Sequence, residues 1–525
     1  MNKKASPPTK YRHLIQYLGT SLITCLIFII FNFSYYSSAI PKHGYLHFSI
    51  MLLVHASFGN AIISLLLFSR YFYLIFCSII FCLNCVVIYY KKVYSSHLTT
   101  EIVDYILHSD IQGLRDHLDM QVFIWLLLFA LVPVFILYKY TKGFEFSLKN
   151  YLINWILWIY LFMGSCLVAY TTRFPFETYI GTIGYILPYS YLVVIDESVS
   201  QYTNKSTTPK ANNFVTEENH KHTNMVSVLV IGESARYDHF SINGYKRPTS
   251  PHLEKVQNLI SFSKAYSLDT YTSIVVPKII QNIKLDNHVS LIKLMEKNNY
   301  KTLWISNHRK HGDAVTEVAS ESQFSIFRDD IYSTKTANKF DQAILDKLDE
   351  TLKASPNENL FIVLHTIGSH LNYDLRYPDE YMIYTPTCKR NYSFFGRDSC
   401  TDIENLTNSY DNSITYSDYI LAQVIERLKP HNSMLIYVSD HGQSLGENGV
   451  YFHGAIYKGA PEEQIHIPMF VWASDQFLKD PDLKNNFKKA SSAKDQSFTH
   501  ATIFHSIPHC LGLQKNIDPS MSICK

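Results

Sequence analysis

Five nearly charge-free apolar windows crowd the first third of this chain, and no other feature restricts its fold as much. They run at about Leu14–Phe33, Phe48–Phe68, Tyr71–Tyr90, Val122–Tyr138 and Tyr151–Tyr170. Each is roughly 20 residues long, enough for a helix to cross the ~30 Å hydrocarbon core of a bilayer. A buried helix of a soluble protein accounts for any one such window, but not for a series of them. Within lipid the backbone must satisfy its own hydrogen bonds, so a bundle of spanning helices is the expected form. The first window is too long, and followed by too many others, to be a cleaved signal peptide.

The flanking charges set the orientation. Lys3, Lys4, Lys10 and Arg12 precede the first window, Arg70 sits in the second turn, and Lys139, Lys142 and Lys149 lie between the fourth and fifth. In the third loop Glu101, Asp104, Asp110, Asp116 and Asp119 outnumber Lys91, Lys92 and Arg115. Basic loops stay cytoplasmic, so the N-terminus is expected inside and everything after Tyr170 outside the cytoplasm. A net charge of +2 over 525 residues gives no indication of a nucleic-acid partner.

Cysteine placement agrees with an exported second part. Cys25, Cys77, Cys82, Cys85 and Cys166 fall in the apolar windows, where they serve as small hydrophobes. Cys388, Cys400, Cys510 and Cys524 fall beyond them, where disulfides can form. Of the three possible connectivities, the local pairs Cys388–Cys400 and Cys510–Cys524 are expected.

The sequence from Thr171 to Asp196 mixes aromatic and polar residues and suits a membrane surface. Ser198–Asn224 is rich in Asn, Thr, Lys, Ser and His, a composition that cannot build a core and reads as a linker. The expected organisation is therefore a membrane domain at 1–170, an interfacial segment and linker at 171–224, and an exported domain at 225–525.

In that last part, short β-branched or apolar runs recur at Met225–Ile231, Lys301–Ser306, Leu360–Leu364 and Met434–Val438. Continuous apolar strands imply a sheet covered on both faces, hence mostly parallel. Helical patterns lie between them; the clearest puts Ile414, Leu421, Val424, Ile425 and Leu428 on one face, with Gln423 and Glu426 opposite. The result is an α/β architecture, in which ligands gather at the carboxyl ends of strands.

Polar residues follow those strand ends. The first run leads into Gly232-Glu233-Ser234, the second into Asn307-His308, and the third into His365 through His370. The fourth opens the stretch YVSDHGQSLGENGVYFHG (Tyr437–Gly454), with Asp440 and His441 side by side and His453 one loop later. A carboxylate with neutral imidazoles suits Zn²⁺ or a similar divalent ion. Surface histidines and a helix-capping acid are the alternative, which becomes less plausible as the number of strand ends involved rises. A nucleophile is expected in SLDTYTSIVVP (Ser267–Pro277), whose hydroxyls at Thr270, Thr272 and Ser273 precede a buried helix start. A metal-bound hydroxyl is acidified toward the alkoxide, although Ser and Thr also commonly cap helices. Composition does not choose among the three.

Longer motifs narrow the reading. They are Val230-Ile231-Gly232-Glu233-Ser234-Ala235-Arg236, Asn243 through Pro251 (NGYKRPTSP), His365-Thr366-Ile367-Gly368-Ser369-His370, Arg376-Tyr377-Pro378, Tyr410-Asp411-Asn412, SDHGQSLGENG through His453, and Ala460-Pro461-Glu462-Glu463-Gln464. With the five windows ahead of them, they make the chain resemble the bacterial phosphoethanolamine transferases of the alkaline-phosphatase/sulfatase superfamily, which modify lipopolysaccharide. The resemblance implies an N-terminal five-helix transmembrane domain and a sulfatase-like α/β domain with a mostly parallel central sheet in the periplasm. It implies Glu233, Thr272, Asp440 and His441 as zinc ligands, Thr272 also being the nucleophile. His370 and His453 would hold a second zinc or the phosphoryl group and act in proton transfer, and Asn307, with Lys310 beside it, would meet the donor headgroup. One or two zinc ions, a phosphatidylethanolamine donor and a lipopolysaccharide acceptor at lipid A or core sugar complete what it implies.

Two departures stand out. Lipid A-modifying members often carry cysteines flanking the nucleophile, where this chain has Leu268 and Lys278; the family's usual Asp-His-Gly-Glu is here Asp440-His441-Gly442-Gln443. A glycerol-phosphate transferase or phosphodiesterase using the same site is the nearest alternative, and a non-catalytic metal-binding membrane protein the next. A sulfatase would need a C/S-x-P-x-R motif, which does not occur.

Overall fold

The structure is a computed structural model, and it describes residues 9–94, 120–172, 223–282, 290–310, 314–331, 340–388, 402–455, 457 and 459–525. The chain divides into two compact units, one holding the apolar helices and the other including Asn204–Lys525. The expected interfacial segment and linker lie almost wholly outside the described residues, as does most of the acidic third loop.

Among the described residues, five helices are long and apolar enough to cross a membrane: Arg12–Phe31, Ser49–Phe68, Arg70–Ile88, Val122–Tyr140 and Leu148–Thr171. They fall on the five expected windows. Apolar side chains give little association between helices that already sit in hydrocarbon, so polar contacts between them matter. Ser21 and Asn154 exchange hydrogen bonds of 3.0 and 3.2 Å, and the Trp155 indole donates to the Ala61 carbonyl at 3.0 Å. In the fourth helix a π-turn at Leu127–Leu131 ends two residues before Pro133. Proline has no N–H to return to the turn before it, and local widening accommodates that loss.

The second unit is built on a seven-stranded sheet. Its strands are β1 (Met225–Gly232), β2 (Leu259–Ser261), β4 (Tyr300–Ser306), β5 (Phe324–Ile326), β6 (Asn359–His365), β7 (Asn432–Ser439) and β10 (Met469–Ala473), in the order β2-β10-β7-β1-β6-β4-β5. Two small sheets pair β3 (Lys264–Tyr266) with β11 (Ser497–Thr499) and β8 (Ser444–Leu445) with β9 (Tyr451–Phe452). The four strands read from sequence are the contiguous parallel centre, β7-β1-β6-β4. The run Met469–Ala473 joins antiparallel to β7 and carries β2 on its other side.

Alternation explains why the central strands are apolar throughout. Leu229, Ile231, Phe361, Val363, Met434, Ile436 and Val438 enter one core, and Val228, Val230, Leu360, Ile362, Leu364, Leu435 and Tyr437 enter the other. Period-two geometry sends successive side chains to opposite faces, and both faces are covered. The helix Thr272–Ile280 places Val275, Val276, Ile279 and Ile280 in the first core. The helix Ile403–Leu428 covers the second with Ile414, Leu421, Val424, Ile425 and Leu428, the stripe expected from its spacing.

Register places the strand ends side by side. Gly232 pairs with Ser439, Ile231 with His365, and Ser306 with His365, so Glu233, Asp440, Thr366 and Asn307 emerge along one edge. Backbone bonds extend the ladder past the strands: Asp440 N–H donates to Gly232 and Thr366 N–H to Ile231, both at 3.0 Å.

Cys510 and Cys524 form the expected disulfide, and Cys25, Cys77, Cys82, Cys85 and Cys166 are free thiols. Cys388 is also disulfide-bonded, while Cys400, its expected partner, lies outside the described residues. The 510–524 bridge spans 14 residues, a loop whose closure stabilises a fold by about 3 kcal/mol. Replacing both cysteines with alanine is therefore expected to lower the urea midpoint of residues 225–525 by that equivalent, followed by tryptophan fluorescence of the full chain in detergent.

Candidate active site

Thr272 is the first residue of its helix and is half-buried; Glu233, Asp440 and His441 around it are fully enclosed. Its Oγ1 lies 2.7 Å from Asp440 Oδ2, 3.1 Å from Glu233 Oε2 and 3.2 Å from His441 Nε2. The His441 Nδ1 is 2.9 Å from the Gly442 carbonyl, which can only accept, so Nδ1 carries the proton and Nε2 presents a lone pair. Three acceptors thus face one hydroxyl proton. His441 Nε2 is also only 3.3 Å from Asp440 Oδ2 and 3.6 Å from Glu233 Oε1. Burial, with Asp440 alongside, pushes the Glu233 carboxyl well above the usual carboxylate range. Such a set is short of positive charge rather than of hydrogen bonds, and it fits a divalent cation with mixed oxygen and nitrogen ligands. Glu233, Asp440 and His441 each offer a ligand atom within 4.8 Å of the others.

Local structure holds these groups. Ser234 adopts a left-handed conformation (φ 57°), which turns the chain at the end of β1. Its N–H donates to Asp440 Oδ1 at 3.0 Å and its hydroxyl to Glu233 Oε1 at 2.7 Å. Gly442 lies against the 463–464 backbone, where its N–H donates to the Gln464 carbonyl at 2.8 Å. A Cβ at Gly442 would sit 2.1 Å from the Glu463 carbonyl oxygen.

His453 and His370 flank the centre and are half-buried, with ring centroids 6.5 Å apart. The His453 ring is 4.1 Å from that of His441. Its Nδ1 is 2.7 Å from Gln443 Oε1, and Gln443 Nε2 donates to the Tyr373 hydroxyl at 2.8 Å. That chain places the His453 proton on Nδ1 and leaves Nε2 as the basic nitrogen. The Arg376 side chain donates to the His370 carbonyl at 3.0 Å.

The remaining expected residues sit differently. Asn307 is fully enclosed, and its amide donates to Asp341 Oδ1 at 2.9 Å. Asp341 also accepts the N–H groups of Ile367 and Gly368, so Asn307 helps fix the loop that runs from β6 to His370. Lys310 is exposed, with its Nζ 6.0 Å from the centre of the Phe327 ring. The other two hydroxyls are accounted for in part: Thr270 Oγ1 donates to the Ala455 carbonyl at 2.6 Å, while Ser273 lies in the first turn of the helix.

The two positions noted as departures, Leu268 and Lys278, make other contacts. Lys278 Nζ is 3.2 Å from Asp269 Oδ2, and the Leu268 N–H donates to His500 Nδ1 at 3.2 Å. His500 donates from Nε2 to the Ser439 carbonyl at 2.8 Å, and burial holds it neutral, lowered to about 4.

Residues 226–513 match the Sulfatase family, and residues 55–193 match the family described as Phosphoethanolamine transferase EptA/EptB. The chain belongs to the phosphoethanolamine transferases of the alkaline-phosphatase/sulfatase superfamily. It is 29% identical over 433 residues to phosphoethanolamine transferase EptA of Helicobacter pylori, covering 81% of this chain and 79% of that protein. It is 30% identical over 302 residues to the Kdo(2)-lipid A phosphoethanolamine 7''-transferase of Escherichia coli K12, covering 54% of this chain and 51% of that protein. The chain spans about half the length of most other curated relatives it matches. In fold it matches the integral membrane protein lipooligosaccharide phosphoethanolamine transferase A (EptA) from Neisseria meningitidis, with a TM-score of 0.79, 21% identity and 97% of each chain covered. It is a multi-pass membrane protein with a sulfatase-like second domain.

Three features of this family member escape sequence reading. Gln443 stands out only as a departure from the usual glutamate, with no hint that it sets the tautomer of His453. His500 follows no motif; only the fold brings it beneath Asp440. His308 is the second residue after an expected strand, and its pattern gives it no role apart from its neighbour Asn307.

Gly442→Ala is expected to destabilise the domain by about 2–3 kcal/mol through backbone overpacking, whereas Gly164→Ala meets nothing within 4 Å and is expected to be near neutral. Chemical denaturation of the two variants side by side checks this.

Proposed function

We propose that this chain is a zinc-dependent phosphoethanolamine transferase of the bacterial inner membrane, with residues 1–170 in the bilayer, 171–224 as interfacial segment and linker, and 225–525 in the periplasm. It moves phosphoethanolamine from phosphatidylethanolamine to lipopolysaccharide, at a lipid A phosphate or a core sugar. The observation that carries this reading is the convergence of two buried carboxylates and an imidazole lone pair on the half-buried Thr272 hydroxyl. A relative named for transfer to Kdo(2)-lipid A supports the acceptor class, and the five apolar helices suit a donor and an acceptor that are both lipids.

Zinc held by Glu233, Thr272, Asp440 and His441 would acidify the hydroxyl and offset phosphate charge. The chain's own residues do the rest. Asp440 Oδ2, at 2.7 Å, is placed to take the Thr272 proton. The bond from Thr272 Oγ1 to phosphorus forms as the bond from phosphorus to the diacylglycerol oxygen breaks, leaving phosphoethanolamine on Thr272. His370 or His453, in its imidazolium form, protonates the departing oxygen. The now neutral histidine then receives the acceptor's proton as the acceptor oxygen attacks phosphorus, and Thr272 leaves with its proton returned from Asp440, a ping-pong sequence. Asn307 acts through the Asp341 loop that leads to His370.

Thr272→Ala is expected to abolish transfer while the chain still folds, because the hydroxyl contributes little to the core. The check is mass spectrometry of lipopolysaccharide from a strain without its own phosphoethanolamine additions, carrying either form. A gain of one phosphoethanolamine unit with both forms, or with neither, removes Thr272 or the reaction from this reading. Gln443→Leu is expected to lower the transfer rate about 10–100-fold, the usual effect of losing a group that orients an active-site histidine. Gln443→Glu, which still accepts from Nδ1, is expected to retain most of it in the same assay.

A further inference from the structure

The Glu233 carboxylate has a second side. Its Oε2 lies 3.9 Å from His308 Nε2, away from the His441 edge. The His308 ring stacks on that of His365, with centroids 4.0 Å apart and planes within 13°. Glu233, His308 and His365 each place a ligand atom within 4.8 Å of the other two. The Thr366 carbonyl oxygen is 2.8 Å from His308 Nε2. That spacing is an N–H donating to the carbonyl; adjacent ligands of one tetrahedral cation at bonds of ~2.1 Å sit about 3.4 Å apart, so the carbonyl draws back by about 0.6 Å where it shares an ion.

His365 decides between these. It is 1% exposed, and among the described residues its Nε2 has no hydrogen-bond partner. Among the same residues its Nδ1 reaches the Ser306 hydroxyl, at 3.4 Å. A buried polar nitrogen left unsatisfied destabilises the fold, and here it lies in a group that also holds a carboxylate oxygen, a second imidazole and a carbonyl. A cation satisfies all four at once. His308, at 18% side-chain exposure, provides the side from which an ion can enter.

We propose that Glu233, His308 and His365, with the Thr366 carbonyl, form a second divalent-cation site that shares the Glu233 carboxylate with the Thr272 centre. Two imidazoles and two oxygens select Zn²⁺ or a similar borderline ion. The site is separate from the His370 and His453 pair. It rests on the zinc reading above only for the ion on the other side of Glu233. A cation here supplies positive charge behind Glu233 and holds the ends of β4 and β6 against β1.

The test is zinc content per chain, measured by elemental analysis and native mass spectrometry on the full-length protein in detergent after equilibration with Zn²⁺. His308→Ala is expected to carry one zinc fewer than wild type, and His308→Cys, which restores a ligand, to regain it. His308→Asn serves as a second loss variant that keeps a polar side chain in place, with size-exclusion and thermal unfolding confirming that each is folded. Wild-type zinc content and an unchanged zinc dissociation curve in His308→Ala or His308→Asn would overturn the site. Asp440→Asn probes the other ion: if it keeps the full wild-type content, the Thr272-centre reading fails while the His308 result stands on its own.

Discussion

Two carboxylates that share a dry space with a single hydroxyl organise this molecule. Glu233 and Asp440 end adjacent parallel strands and both reach Thr272. Isolated carboxylates in such a place are costly, and each must meet protons or a cation. The surrounding loops supply what protons there are: Ser234 gives its hydroxyl and N–H, and Thr272 gives one hydroxyl proton. What remains unmatched is negative charge beside a lone pair, a combination that suits a divalent cation.

The fold supplies this convergence through register. Parallel strands in one sheet all present their carboxyl ends on the same edge, and the covered faces leave that edge as the place where polar residues can gather. The alternation of Val228 and Val230 with Leu229 and Ile231 fixes which side chains enter which core. A one-residue slip would move every one of these side chains to the wrong face. The position of Glu233 against Asp440 is therefore set by the packing of residues that take no part in chemistry.

Much of this was legible in the residues. The apolar windows, the four central strands and the polar residues after them follow from hydropathy and spacing, because those depend on local pattern. The choice of Thr272 over Thr270 and Ser273 did not follow from composition; family resemblance singled it out, and the structure places Thr272 Oγ1 between the carboxylates. Strand β10 is not among the expected runs, although Met469–Ala473 is as apolar as its neighbours; its antiparallel direction follows from no local signal. His500, Asp341 and the tautomer-setting amide of Gln443 depend on contacts between distant segments, and those come only with the tertiary fold. Asn307 illustrates the same limit, since its position after a strand says nothing of the buried Asp341 that its amide meets.

The loop that leads to Thr272 is tied on one side by Lys278 to Asp269 and on the other by Leu268 to the buried His500. Neither tie requires oxidation. The Thr272 hydroxyl thus acquires its position as the chain folds, with no thiol chemistry in either tie. The one fully described covalent bridge, Cys510–Cys524, reinforces the C-terminal end instead. Reducing the Cys510–Cys524 bridge therefore bears on the durability of this domain and not on these two ties, of which only the partly exposed Asp269–Lys278 pair weakens as ionic strength rises.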